Sequence, residues 1–166
     1  MKGIKETLTS EKVICEVCCK CKIHQLPHKP SNRTEKDVLG LVHSDTCGPI
    51  QNASLGGASY FATITDDKTR YTQVTMLKRK SDVFKAFVEY KANVERITGK
   101  KIKRLRTDNA KEYASKISEF LKKEGISREL FVEYTSQQNG VAERANRTLV
   151  EMARCMMVQS RMPPSL

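Results

Sequence analysis

Three carboxylates in this chain are of the type and spacing that could work together: Asp45, Asp108 and Glu143, separated by 62 and 34 residues. Asp45 ends the strand-like run Val38-Leu-Gly-Leu-Val-His-Ser-Asp, and Asp108 ends Lys101-Ile-Lys-Arg-Leu-Arg-Thr-Asp. Glu143 falls in the first turn of a helix that follows the turn formers Gln137-Gln138-Asn139-Gly140. Acid oxygens are the donors that magnesium prefers. Two such ions about 3.5 to 4 Å apart can activate an oxygen nucleophile and stabilise the leaving oxygen on one phosphorus. The chemistry this set suits is therefore phosphodiester cleavage or transfer. Taken singly, each acid has a plainer reading. Asp forms strand-end turns well, and Glu143 is spaced to pair with Arg147 on a solvated helix face. Asp66, Asp67 and Glu112 compete for the same role, although Asp66 and Asp67 flank a hairpin turn and read as turned to solvent.

The elements that must position these acids follow from periodicity. Residues 38–45, 58–65 and 71–77 read as three strands, with turns at Ser54-Leu-Gly-Gly57 and Asp66-Asp67-Lys68. Ser81 can cap a helix whose apolar face is Phe84, Phe87, Val88, Val94 and Ile97, stopped by Gly99. The strand 101–108 follows, then a helix from about 115 with Ile117, Phe120 and Leu121 inward, ended by Gly125, and a fifth strand over 126–132. The last helix starts at about 139–141 and places Ala142, Ala145, Leu149, Met152, Ala153 and Met156 on one arc, expected against a core. Glu143, Asn146, Arg147, Val150 and Arg154 fall on the other side. The order βββαβαβα suits an α/β fold with a mixed five-stranded sheet and helices on its faces.

Thirty Lys and Arg against nineteen Asp and Glu give a formal charge of +11 and favour a polyanionic partner. Lys78-Arg79-Lys80, and Lys100, Lys101, Lys103, Arg104 and Arg106, concentrate that charge. Gln137, Gln138, Asn139, Arg144 and Arg147 could reach a nucleic acid near the acids. His43 lies on the strand face of Asp45 and reads as a core or supporting histidine. With no Trp, five Phe and five Tyr, the chain is poorly supplied for a base-stacking platform. No apolar run approaches the roughly 20 residues of a membrane span, and no secretory segment opens the sequence, so an intracellular chain with reduced thiols is expected. Cys15 and Cys18 have the spacing of half a zinc site. His24 and His28 are a local alternative for closing that half site, and Cys18 and Cys21 form a second, overlapping pair.

The combination Cys15-Glu-Val-Cys18, Leu41-Val-His-Ser-Asp45 with Gly48-Pro49, Asp66-Asp-Lys-Thr-Arg-Tyr71, Leu105-Arg-Thr-Asp-Asn109 with Glu112-Tyr113, and Gln137-Gln-Asn-Gly-Val-Ala-Glu143 resembles the integrase of copia-like LTR retrotransposons. The resemblance runs along residues 2–166. It implies a ribonuclease H-like fold and D,D,E polynucleotidyl transferase activity, namely metal-dependent DNA 3′-end processing and strand transfer. Asp45 would then bridge two magnesium or manganese ions, with Asp108 and Glu143 each holding one. Residues 1–34 would be the C-terminal half of a zinc-binding segment plus linker, its His pair lying upstream, and 35–166 a catalytic core shortened at its C-terminus. DNA, further copies of the chain and a nuclear location are the implied partners and place. The 34-residue spacing is slightly short for that family, so a DNA-binding remnant without catalysis is the alternative.

Overall fold

The computed structural model describes Glu16 and residues 35–107, 114–130 and 136–162, the side chains of 114–116 and 136–143 excepted. Strands β1 (Val42–Cys47), β2 (Tyr60–Asp66) and β3 (Thr72–Leu77) form an antiparallel meander. Then come α1 (Val83–Thr98), β4 (Arg104–Thr107), α2 (Ala114–Lys123), β5 (Ser127–Leu130) and α3 (Ser136–Gln159). β4 lies parallel to β1 and β5 parallel to β4, so the five strands run β3-β2-β1-β4-β5. Parallel neighbours need a crossover, and α1 and α2 provide those connections. The βββαβαβα order and the mixed sheet are as the sequence implied.

One face of the sheet makes the core. Val42, Ala62, Ile64, Leu77 and Leu105 pack there with Phe87, Tyr90 and Val94 of α1 and Ile117 and Leu121 of α2. Phe120 meets Phe84 and Phe87 edge-on, at centroid distances of 5.4 and 6.4 Å. Gly99 closes α1 in the left-handed conformation with φ 66°, its N–H donating to Glu95 O. Ser81 lies inside a 3₁₀ turn, Lys80–Asp82, before the helix, and Ile97 is exposed. Burial holds the Tyr90 phenol protonated well above its ordinary range, with Asp66 and Tyr71 adding to the effect.

Several boundaries moved, and three of them bear on the candidate site. Residues 38–41 form a turn, with Leu39 at φ 62° and Gly40 N–H donating to Asp37 O, so β1 begins at Val42. It also continues to Cys47, so Asp45 lies within the strand. α3 begins at Ser136, and Gln137 to Gly140 are therefore in the helix, not in a loop before it. Asn-Gly is a local turn signal, and a helix of 24 residues overrides it.

Glu95 ties α1 to β4: its carboxylate accepts from Lys91 Nζ (3.0 Å), Lys101 Nζ (2.8 Å) and the Ile102 N–H (3.0 Å). Burial pushes the Glu95 carboxyl up, but bonds from Lys101, Ile102 and Lys91 outweigh it and hold it below its ordinary value of 4.5. A carboxyl depressed by folding adds stability above its unfolded pKa and loses it as pH falls through the folded one. Urea melts should thus show stability falling as pH drops below about 4.5. Glu95→Gln should be roughly 1–3 kcal/mol less stable at pH 7 and show a shallower acid slope.

Candidate functional site

Side chains alternate across a strand, so Val42 faces the α1 core while His43 and Asp45 face the opposite side. α3 crosses that side. Asp45 is half-buried opposite Thr63 of β2. Its Oδ1 accepts the Thr46 N–H at 2.9 Å, and its Oδ2 accepts Asn146 Nδ2 at 2.7 Å. Asn146 Oδ1 in turn accepts the Thr63 hydroxyl at 2.7 Å. Asn146 is one turn beyond Glu143 on α3, so the helix segment that carries Glu143 is moored beside Asp45. On the other flank, the β1–β4 ladder ends at the pair Ser44 and Thr107, each one residue before an acid in sequence. Asp108 itself, Glu112 and the side chain of Glu143 lie outside the described residues.

Sequence reasoning missed Asn146 and Thr63 as site residues. The signal was present, since Asn146 shares a helix side with Glu143. The expected core-facing arc of α3 holds only in part: Ala145 and Leu149 are half-buried and Arg147 and Arg154 exposed as expected, but Met152 and Met156 are 52% and 63% exposed, Ala153 is exposed, and Asn146 is buried. The helix lies over the polar strand face of Asp45 and Thr63, so a polar residue is what fits beneath it. Beyond Asp45 the same contact opens into a groove of about 730 Å³ between α3 and the first three strands, with Cys47, Phe61, Met76, Val150, Arg154 and Met157 among its walls.

Asp66 and Asp67 are 1% and 4% exposed, contrary to the expected outward solvation. Asp66 accepts from the Leu39 N–H (2.9 Å), the Thr69 N–H (2.9 Å) and the Thr69 hydroxyl (2.6 Å). Asp67 accepts from the Glu35 N–H (2.7 Å) and Arg70 Nη1 (3.0 Å) and meets His43 Nε2 at 3.1 Å. Burial raises the Asp67 carboxyl, and the Glu35 N–H, His43 and Arg70 together bring it below its usual range. His43, 1% exposed, is pushed down by burial, against an opposing pull from Asp67. These acids fasten the strap of residues 35–40 that feeds β1.

The basic cluster over residues 101–106 is heavily paired. Lys103 meets Asp37 at 2.7 Å and Lys101 meets Glu95 at 2.8 Å. Arg104 bonds Glu35 and Glu129, and Arg106 meets Glu129 at 2.6 Å. Both lysines are well exposed, and such surface pairs are weak enough to exchange for phosphate contacts. Arg144 and Arg147 are exposed on α3. Gln137, Gln138 and Asn139 lie in the first turns of that helix, their side chains outside the described residues, as are Cys15 and Cys18.

Among the described residues, no group of three or more His, Cys, Asp or Glu comes together to hold a metal. Of the proposed set, Asp45 is the one whose side chain is described, and a half-buried carboxylate on a rigid strand is a suitable hard donor. Also among the described residues, no helix is long and apolar enough to cross a membrane.

No family model matches the chain. It is 44% identical over 152 residues to the retrovirus-related Pol polyprotein from transposon TNT 1-94 of Nicotiana tabacum, covering 91% of this chain and 11% of that protein. It is 31% identical over 150 residues to the retrovirus-related Pol polyprotein from transposon RE2 of Arabidopsis thaliana, covering 90% and 10%. The chain thus spans about a tenth of the length of the curated relatives it matches. Among solved structures it is similar to a chain of the simian T-cell lymphotropic virus intasome in complex with PP2A regulatory subunit B56 gamma. The TM-score is 0.65 at 19% identity, over 90% of this chain and 52% of that one, which establishes a common fold.

Proposed function

This chain is a homologue of the retrovirus-related Pol polyproteins of copia-like transposons with a ribonuclease H-like fold, and we propose that residues 35–166 act as an integrase catalytic core. The reaction would be metal-dependent trimming of DNA 3′ ends and their transfer into target DNA. The observation that carries this reading is the mooring of the Glu143-bearing helix to Asp45 through Asn146. Asp45, Asp108 and Glu143 would hold the divalent ions. When bound, such ions supply Lewis acidity for the attacking and leaving oxygens of a phosphodiester. The protein's share is to fix the acids: Asp45 by its strand and the Thr46 N–H, and the Glu143 segment by helix packing.

Arg144 and Arg147, with Gln137, Gln138, Asn139, Lys101 and Lys103, would contact DNA along α3 and the β4 side. Such phosphate contacts position the duplex without reading its sequence. The active form would be at least a dimer, acting in the nucleus, and a zinc held partly by Cys15 and Cys18 would belong to the segment before the core.

The test is nicking of duplex DNA carrying element ends, with magnesium and with a chelator. Magnesium-dependent 3′ trimming is the expected result. DNA binding without cleavage would make the chain a non-catalytic remnant, and preferential cleavage of RNA in a hybrid would make it a nuclease of another kind.

A further inference from the structure

We propose that Asn146 is a positioning residue for this reaction: its carboxamide keys α3 to Asp45, and Thr63 supplies the donor that completes the key. The inference rests on the integrase reading and adds to it two residues that carry no charge. A carboxylate accepts only, so Asp45 selects the amide's NH₂ end. The carbonyl end is then turned into the sheet, where an unmet acceptor would be costly. The Thr63 hydroxyl meets it at 2.7 Å, from a side chain that is 0% exposed. Asn146 is itself 8% exposed, so the bridge between helix and both strands is buried.

The placement matters because Asn146 and Glu143 are three residues apart, neighbours on one helical face about 4.5 Å apart along the axis. A slip of α3 by one residue turns that face by about 100°, carrying Glu143 away from β1. The bridge allows one register. Its geometry would therefore set how strongly the acids share a divalent ion, without Asn146 touching that ion or the DNA.

The experiment compares wild type with Asn146→Ala, Thr63→Val and Thr63→Ser by calorimetric titration of manganese(II), by melting in chelator, and by nicking against manganese concentration. Thr63→Val keeps the side-chain shape and removes the donor, which guards against a loss of folding in Asn146→Ala. Outer-shell partners of metal ligands typically change affinity or activity by about 10- to 100-fold. We expect half-saturation by manganese to rise about tenfold in Asn146→Ala and severalfold in Thr63→Val, with Thr63→Ser restored towards wild type. Variants that melt earlier but take up manganese as wild type does would reduce Asn146 to a structural bond and overturn the proposal, leaving the integrase reading intact. A wild type that neither binds manganese nor cleaves would overturn both.

Discussion

The Asp45→Asn protein is expected to nick element-end DNA at least about a hundredfold more slowly than wild type, a loss of about 2.7 kcal/mol of transition-state stabilisation, while remaining folded. The substitution is isosteric, so the packing of β1 between β2 and β4 is kept. Two donors face this carboxylate, the Thr46 N–H at Oδ1 and Asn146 Nδ2 at Oδ2. An amide offers one acceptor oxygen, so one of them goes unmet, costing about 1 kcal/mol. In the proposed cluster of three acids, removing one would offset part of that loss. What the amide cannot replace is the negative charge that would draw a hard cation. Single-turnover nicking at saturating magnesium, beside a urea melt, separates the two effects. Wild-type rates in Asp45→Asn would remove the acid from the mechanism whatever the fold.

Periodicity and turn chemistry made most of the architecture legible. The strand-like runs of β2 and β3, the Asp66 to Arg70 turn between them and Gly99 at the end of α1 are local signals that the fold kept. The parallel placement of β4 beside β1, which brings the ends of the two acid-bearing runs together, followed from the family resemblance and not from local pattern. The face of α3 was misread at Asn146, Met152, Ala153 and Met156 because a hydrophobic arc does not say what covers it. The sheet offers Asp45 and Thr63 to the helix, so Asn146 is buried and Met152 and Met156 are exposed. The pairing of Lys101, Lys103, Arg104 and Arg106 was equally hidden, since their partners Glu95, Asp37, Glu35 and Glu129 come from other elements or from a neighbouring strand.

Asp66 is where the sequence and the structure lead to opposite expectations, and Asp66→Ala decides between them. As a solvated hairpin residue it could be replaced within about 0.5 kcal/mol. As the buried acceptor of three donors, its removal should cost roughly 2–4 kcal/mol. The bond that matters most is from the Leu39 N–H: Leu39 is 2% exposed and held at φ 62°, so its orphaned donor could not reach water without opening the core. The two Thr69 donors lie nearer the surface and should rehydrate at smaller cost. Asp66→Asn, keeping one acceptor, should fall between.

Asp66 also competed with Asp45 for the role of first carboxylate, and the same variant settles that. It pairs with Val42 at the start of β1, three residues from the Thr63 that opposes Asp45, or about 10 Å along the strand. A shift in urea midpoint with an unchanged rate per folded molecule is therefore expected. The reverse pattern, wild-type stability with lost cleavage, would move the acid site to the other end of β2.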